Sequence, residues 1–192
     1  MKKNIFLICP VRIANKKEKK FLEDYSLKLE DKGNKIYYPA RDTNQNDSIG
    51  LRICSDNRYA IKNSDEVHIY FNKKSNGSMF DVGMNFMAEK DLHVINPSEL
   101  NDNYISNFIS GYAKNINQSN DIFRELLIKR EKIKELSKRK YYFSEINAKF
   151  LLDFGMSFMA EKPIHLLNRK DVKRTENKSF ENVLLELDQR SW

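Results

Sequence analysis

Residues 65 to 96 read DEVHIYFNKKSNGSMFDVGMNFMAEKDLHVIN. A short apolar run, Val67 to Phe71, precedes a small polar loop, Ser75 to Ser78; an amphipathic segment and a second apolar run, Leu92 to Ile95, follow. This order predicts a strand, a loop, a helix and a second strand of a parallel α/β sheet. Ligands of such sheets bind outside the carboxyl ends of the strands, so the loop and Asp81 behind it are candidates for a binding site.

The same alternation of strands and helices extends towards the amino terminus. Apolar runs predict strands at 5–9, 35–38, 66–71 and 92–95, and helical spacing predicts helices at 16–31, 51–62 and 78–90. Gly33 and Asn34 are typical of the end of the first of these helices. We therefore expect an α/β fold with a three-layer, doubly wound, mostly parallel sheet of the Rossmann or flavodoxin type.

An internal repeat links the middle of the chain to its carboxy-terminal part. Residues 81–96 (DVGMNFMAEKDLHVIN) match residues 153–168 (DFGMSFMAEKPIHLLN) at ten of sixteen positions, with an offset of 72 (153 minus 81). The preceding loop is not repeated, because Lys149 and Phe150 stand where the first copy has Gly77 and Ser78. We expect two equivalent positions in the sheet, of which only the first kept a ligand loop; the alternative is that the second copy forms its own site.

These elements predict one α/β domain, residues 1–192, with three regions. Residues 1–97 form its core, and residues 98–139 form a helical segment with a charged helix at 120–138. Residues 140–192 contain the second copy, with strands at 140–143 and 164–167 around a helix at 146–161, and a closing helix at 180–187. The α/β fold is thus expected to have an additional carboxy-terminal helical and strand-helix repeat region.

The composition favours an anionic partner. The chain has 34 Lys and Arg residues against 27 Asp and Glu residues, for a net charge of +7. Nucleotides, nucleic acid and acidic lipid suit such a surface, although scattered solvated lysines give the same charge. The basic residues are not interleaved with aromatic ones, so nucleic acid is not favoured as a partner.

Cysteine use and hydropathy indicate a cytoplasmic protein. Cys9 and Cys54 alone make neither a disulfide framework nor a zinc site. The apolar run Ile5 to Cys9 is too short for a signal peptide, and no stretch is long enough to span a membrane. We therefore expect no membrane contact and no bound metal.

Three polar loops follow the first three predicted strands, at 9–12, 41–47 and 75–81. If the strands are parallel neighbours, these loops meet at one edge of the sheet. Such a set of donors and acceptors suits a sugar or nucleotide, with a phosphate on small-residue backbone at a helix start. The candidate binding residues from these loops are Cys9, Pro10, Arg12, Arg41, Asp42, Asn44, Gln45, Asp47, Ser75, Gly77 and Ser78.

Four motifs in this order carry a family resemblance. They are YYPARDTNQND at 37–47, ICSDNRYAI at 53–61, SDEVHI at 64–69 and GSMFDVGM at 77–84. They resemble the nucleoside 2-deoxyribosyltransferase-like superfamily, which includes the deoxynucleoside 5′-monophosphate N-glycosidases. The resemblance covers about residues 3–97. It implies chemistry on the N-glycosidic bond of a nucleoside or nucleotide, no cofactor, and a homo-oligomer with sites at subunit contacts.

Asp81 matches the family's nucleophile, a carboxylate that attacks the anomeric carbon and forms a glycosyl-enzyme intermediate. With an ordinary pKa, at a helix start, Asp81 is expected to be ionised at neutral pH. Most of the family has Glu at this position, and the side chain of Asp is one methylene shorter. Because a misplacement of about 1 Å can cost about a hundredfold in rate, either the loop is adjusted to Asp or the site binds without turnover. The structural alternative is a carboxylate that stabilises the helix start.

Three further residues receive roles from the same resemblance. Asp65 matches an aspartate that assists at the base or leaving group, although a polar residue in the turn before a strand is an equal interpretation. Ser75 lies at the spacing of a phosphate-binding serine in the nucleotide-hydrolysing branch. Asn57 falls in the second motif and joins the candidate binding residues.

Two functional hypotheses follow, and a third has weaker support. The first is an enzyme that cleaves or transfers the N-glycosidic bond of a nucleoside, nucleotide or related ribosyl compound, with Asp81 as nucleophile and Asp65 as acid/base group. The second is a module that binds a nucleotide-derived ligand without cleaving it. Nucleic-acid binding through the basic surface is the third, and it lacks a motif.

Overall fold

Four parallel strands form the main sheet of the computed structural model, which describes residues 2–116 and 120–191. The strands are β1 (Asn4–Ile8), β2 (Lys35–Tyr37), β3 (Glu66–Ile69) and β4 (Asp91–Val94), in the order β2-β1-β3-β4. β1 and β3 are central, with Phe6 beside Val67, and both strands are almost wholly buried. Their near-continuous apolar runs suit a sheet that is covered on both faces.

Eight α-helices surround the strands within the described residues. They are α1 (Lys16–Asp31), α2 (Pro39–Asp42), α3 (Leu51–Lys62), α4 (Asn76–Met87), α5 (Tyr104–Tyr112), α6 (Asp121–Glu135), α7 (Ala148–Met159) and α8 (Phe180–Arg190), with 3-10 turns at Pro97–Glu99 and Arg169–Asp171. α1, α3 and α4 connect successive strands of the main sheet. The α/β architecture expected from the sequence is therefore confirmed, and the four-stranded parallel sheet is compatible with a Rossmann-like fold.

The element boundaries differ from the sequence expectation where side chains cap the backbone. β3 ends at Ile69 rather than at residue 71, because the side chain of Asn96 binds both the N–H and the C=O of Phe71. α4 begins at Asn76, two residues earlier than expected, because Ser75 accepts a hydrogen bond from the N–H of Ser78. α5 lies within the helical segment expected at 98–139, where no separate bounds were predicted for it; Asn103 caps its first turn.

A second, two-stranded sheet lies in the carboxy-terminal part of the chain. β5 (Arg139–Tyr141) and β6 (Ile164–Leu166) are parallel and are joined through α7. The first copy of the repeat occupies α4 and β4, and the second copy occupies α7 and β6. α4 and α7 pack directly against each other and join the two sheets into one apolar core.

Close approach of these two helices requires glycine on both. A Cβ atom on Gly83 would lie 2.2 Å from the carbonyl oxygen of Leu152, and one on Gly155 would lie 2.1 Å from the carbonyl oxygen of Phe80. Both distances are far below van der Waals contact, and the obstacle is backbone. The close packing of α4 and α7 therefore requires glycine at this position in each copy of the repeat.

Candidate functional site

A cavity of about 350 Å³ lies at the carboxyl ends of the central strands. Segments after β1, β2 and β3 line it together with α3, and α8 forms a further wall. The three loops singled out in the sequence therefore contribute to one cavity, as parallel neighbouring strands require. The lining residues are Cys9, Val11, Arg12, Ile13, Pro39, Gln45, Gly50, Ile53, Cys54, Asn57, Lys74, Ser75, Asn76, Gly77, Phe80, Asp81, Ile146, Lys178, Ser179, Phe180, Glu181 and Val183.

The structure brings half of the sequence-predicted site residues to this cavity. Those that line it are Cys9, Arg12, Gln45, Asn57, Ser75, Gly77 and Asp81. The others, which are not among its lining residues, are Pro10, Arg41, Asp42, Asn44, Asp47, Asp65 and Ser78.

Several of the predicted site residues that do not line the cavity stabilise local structure instead. Arg41 pairs with Glu30 at 2.9 Å and with Asp42 at 2.9 Å. Asp42 also accepts a hydrogen bond from the N–H of Tyr38. These contacts anchor the short helix after β2 to α1.

Three further predicted residues bind the backbone or another side chain. Asn44 accepts a hydrogen bond from the N–H of Asn46, and Asp47 accepts one from the N–H of Arg52 in the first turn of α3. The fully buried Ser78 donates its hydroxyl to Oγ of Ser75 at 2.8 Å. Asp47 and Ser78 thus fix the loops around the cavity.

Asp65 lies away from Asp81, at the amino end of β3. Its carboxylate is exposed and accepts a hydrogen bond of 2.7 Å from the N–H of Asn4, at the start of β1. The cavity lies beyond the other end of β3. Of the two interpretations of Asp65, the geometry favours the polar residue in the turn before a strand.

Asp81 lies in the second turn of α4, with its side chain almost wholly buried at the cavity. Ser75 caps this helix and Asp81 lies beyond its first turn, so Asp81 is not the helix-start carboxylate of the structural alternative. Burial raises the pKa of Asp81 from 3.8 to about 7, and a hydrogen bond from Asn57 opposes part of this rise. The expectation of a fully ionised carboxylate at neutral pH is therefore wrong, since desolvation outweighs the effects that favour the charge.

A chain of hydrogen bonds orients the partner of Asp81. Nδ2 of Asn57 lies 3.2 Å and 3.4 Å from the two carboxylate oxygens. The hydroxyl of Thr43 donates to Oδ1 of Asn57 at 3.0 Å, which fixes the orientation of the amide. The hydroxyl of Tyr37 lies 2.9 Å from that of Thr43 and completes the chain.

Asp81 has no ion pair with a cation among the described residues. Its counterpart in the second copy of the repeat, Asp153, is equally buried but pairs with Lys129 at 2.9 Å and with Arg139 at 2.7 Å. The same residue type in the same repeat therefore has two environments. Asp153 is neutralised by two cations, whereas Asp81 has a hydrogen bond from Asn57 and no cation beside it in the described part of the chain.

Positive groups from both ends of the chain line the cavity. Nη1 of Arg12 donates to the carbonyl oxygen of Lys178 at 3.4 Å. Nζ of Lys178 donates to the carbonyl oxygen of Gln45 at 2.6 Å. Burial lowers the pKa of Lys178, and the positive charge of Arg12 lowers it further. An anionic group bound here would relieve this repulsion.

The contribution of α8 was not found from the sequence. Lys178 contacts Gln45 at a sequence separation of 133, and Phe180 contacts the ring of Phe80 at a separation of 100 (180 minus 80). Their own sequence carries no ligand motif. Glu181 and Asp81 are the two carboxylates that line this cavity.

Comparisons with protein-family models, with curated proteins and with solved structures gave no match to this chain. Within residues 2–116 and 120–191, no helix is long and apolar enough to cross a membrane. In the same part of the chain, no cluster of three or more His, Cys, Asp or Glu residues is arranged to hold a metal ion.

Proposed function

We propose that the protein cleaves or transfers the N-glycosidic bond of a nucleoside or nucleotide, with Asp81 as the nucleophile. The observation that carries this proposal is the environment of Asp81: a buried carboxylate at a cavity, oriented by Asn57 and without a cationic partner among the described residues. Structural carboxylates are normally paired, as Asp153 is, and a strongly raised pKa beside a cavity is typical of a functional group.

The reaction would proceed in two displacements. A carboxylate oxygen of Asp81 forms a bond to the anomeric carbon while the bond from that carbon to the base nitrogen breaks, and the base leaves with the electron pair and gains a proton. Water or a second base then displaces Asp81 and restores the free carboxylate. Glu181 is the candidate proton donor to the leaving base, in place of Asp65, because it lines the same cavity.

The cations of the cavity support a phosphorylated substrate. Arg12 and Lys178 lie beside each other, and neither forms a salt bridge within the described residues. A nucleotide would place a phosphate near these two groups and a sugar near Asp81. A neutral nucleoside would leave the two positive charges uncompensated.

Binding without turnover is the second candidate function. It is favoured by the burial of Asp81, a residue that is only 7% exposed. With a pKa of about 7, this group is partly protonated at neutral pH and can donate a hydrogen bond to a bound ligand. A nucleotide-derived ligand would then be held by the same residues and released unchanged.

One incubation separates the two functions. The native protein, Asp81→Asn and Asp153→Asn are each mixed with a panel of nucleosides and 5′-nucleotides, with and without a second free base, and released base is measured by chromatography. We expect release by the native protein and by Asp153→Asn but not by Asp81→Asn. Ligand-induced thermal stabilisation without any release by the native protein would refute the enzyme and support the binding module.

A further inference from the structure

The two copies of the repeat contact each other reciprocally. Gly83 packs on the carbonyl group of Leu152, and Gly155 packs on that of Phe80. The partners differ by the repeat offset of 72 in both cases (155 minus 83, and 152 minus 80). The counterpart of Gly83 therefore contacts the counterpart of Leu152. Reciprocal contacts of this kind are those of a two-fold symmetric dimer interface.

Two arginines extend this symmetry beyond the central helices. Arg58 of α3 donates to the carbonyl oxygen of Phe158 at 3.3 Å and lies 4.9 Å from its ring centroid. Arg130 of α6 donates to the carbonyl oxygen of Phe86 at 3.3 Å and lies 5.0 Å from that centroid. Both pairs again differ by 72 (130 minus 58, and 158 minus 86).

Salt bridges repeat the same relation at the ends of α4 and α7. Lys62 pairs with Glu161, and Lys134 pairs with Glu89. Glu89 and Glu161 also share a left-handed backbone, with φ of 58° and 55°. The symmetry therefore covers side-chain contacts and backbone conformation, and it extends through Lys62 and Lys134 to positions outside the sixteen matched residues.

The equivalence of the two halves extends beyond the sixteen matched residues, but the second half contains fewer of the elements. α6, β5, α7 and β6 correspond to α3, β3, α4 and β4, and the Asn96 contact with Phe71 recurs between Asn168 and Phe143. Among the residues that the structure describes, the two-stranded sheet has no counterparts of β1 and β2. The loops that follow those strands, which line part of the cavity in the first half of the chain, therefore have no equivalents beside Asp153.

The position of Asn57 also differs in the second copy. Lys129 stands there (129 minus 57 is 72) and pairs with Asp153, which Arg139 neutralises further. In the other direction, the segment 178–183 of the second half reaches the cavity of the first half. One half thus keeps the carboxylate site, and the other supplies part of its wall.

We propose that the carboxy-terminal half takes the place of the second subunit of a dimer, so that the chain acts as a monomer with one site. The segment 178–183 of this half forms the outer wall of that site. This inference does not depend on the proposed reaction. It replaces the homo-oligomer implied by the resemblance, because the two-fold contacts that would join two chains are already made within one.

Sedimentation velocity over a hundredfold range of concentration tests the first part. We expect a single species with the mass of one chain, 22.7 kDa, at every concentration. A dimer that persists on dilution would overturn the proposal.

Alkylation of the two cysteines tests the wall without any knowledge of the ligand. Cys9 and Cys54 are buried and line the cavity, and burial raises the pKa of both thiols, so they react slowly while the wall is in place. We expect Phe180→Ala and Lys178→Ala to increase their alkylation by iodoacetamide several-fold, as followed by mass spectrometry.

The matched control is Phe108→Ala, since Phe108 is the counterpart of Phe180 (180 minus 72) and packs away from the cavity against Phe86 and Phe123. It removes the same ring and leaves the wall intact, so alkylation should rise less than in Phe180→Ala. Equal rates in these two variants, together with an unchanged rate in a folded Lys178→Ala, would refute the role of segment 178–183.

Discussion

Replacing Asp81 with Asn should stabilise the protein above neutral pH, although it removes the candidate nucleophile. Burial raises the pKa of this carboxyl from 3.8 to about 7, so ionising it in the folded state opposes folding. A pKa difference of about three corresponds to about 4 kcal/mol, at about 1.4 kcal/mol per unit. A weakened hydrogen bond with Asn57 would offset about 1 kcal/mol of the gain.

The sign of the pH dependence follows from the raised pKa. Between about pH 4 and about pH 7 the unfolded chain has lost the proton that folded Asp81 retains, so the free energy of unfolding falls as the pH rises. Above about pH 7 both states are ionised and this contribution stays constant. The advantage of Asp81→Asn over the native protein should therefore grow through this window and be largest above it.

Urea denaturation followed by far-UV circular dichroism, at about pH 5 and about pH 8, measures this advantage. Asp153→Asn is the matched control: it leaves Lys129 and Arg139 without their shared carboxylate and should lose about 2–3 kcal/mol at both pH values. Near pH 8 the two variants should therefore change the free energy of unfolding in opposite directions. Destabilisation by Asp81→Asn at that pH, or an effect independent of pH, would refute the account of its burial.

Three further outcomes are expected. If Asp81 is the nucleophile, base release in single turnovers should increase with pH through about 7, as its carboxyl ionises; a rate that falls over this range would identify a protonated group instead. Gly155→Ala should lower the free energy of unfolding, measured by urea titration, by more than about 3 kcal/mol, because the added Cβ would meet backbone atoms. Gly77→Ala is the control: a Cβ there would meet no atom within 4 Å, so the change should be neutral or slightly stabilising. Thr43→Val should cost about 1–3 kcal/mol because it leaves Oδ1 of the buried Asn57 without its donor, and Thr43→Ser, which keeps the hydroxyl, should restore most of that loss.

The sequence was sufficient for the sheet and for most helices because their signals are local. α3 was predicted with its observed bounds, and α1 ends beside Gly33, whose φ of 85° suits the predicted helix terminus. The bounds of α5 within the expected helical segment 98–139 were not predicted because Asn103, its cap, is one of several polar residues there. A single capping side chain decides such a boundary, and its partner cannot be read from periodicity.

The site was predictable only to the extent that strand order determines it. Neighbouring parallel strands bring Cys9, Gln45 and Ser75 to one cavity. The raised pKa of Asp81 depends on packing around α4, and one wall of the cavity comes from α8, which is distant in the sequence from the three loops. Neither has a local sequence signal, so neither could be predicted from the sequence.

Fusion of the two copies also changes what a mutation can do. In a symmetric homodimer every substitution enters both subunits at once, so a residue that improves one role must be tolerated in the other. Here Asn57 and Lys129 occupy equivalent positions and are encoded separately, and each suits its own carboxylate. The chain can therefore retain an uncompensated buried acid in one half while the other half gains the ion pairs that keep the whole fold stable.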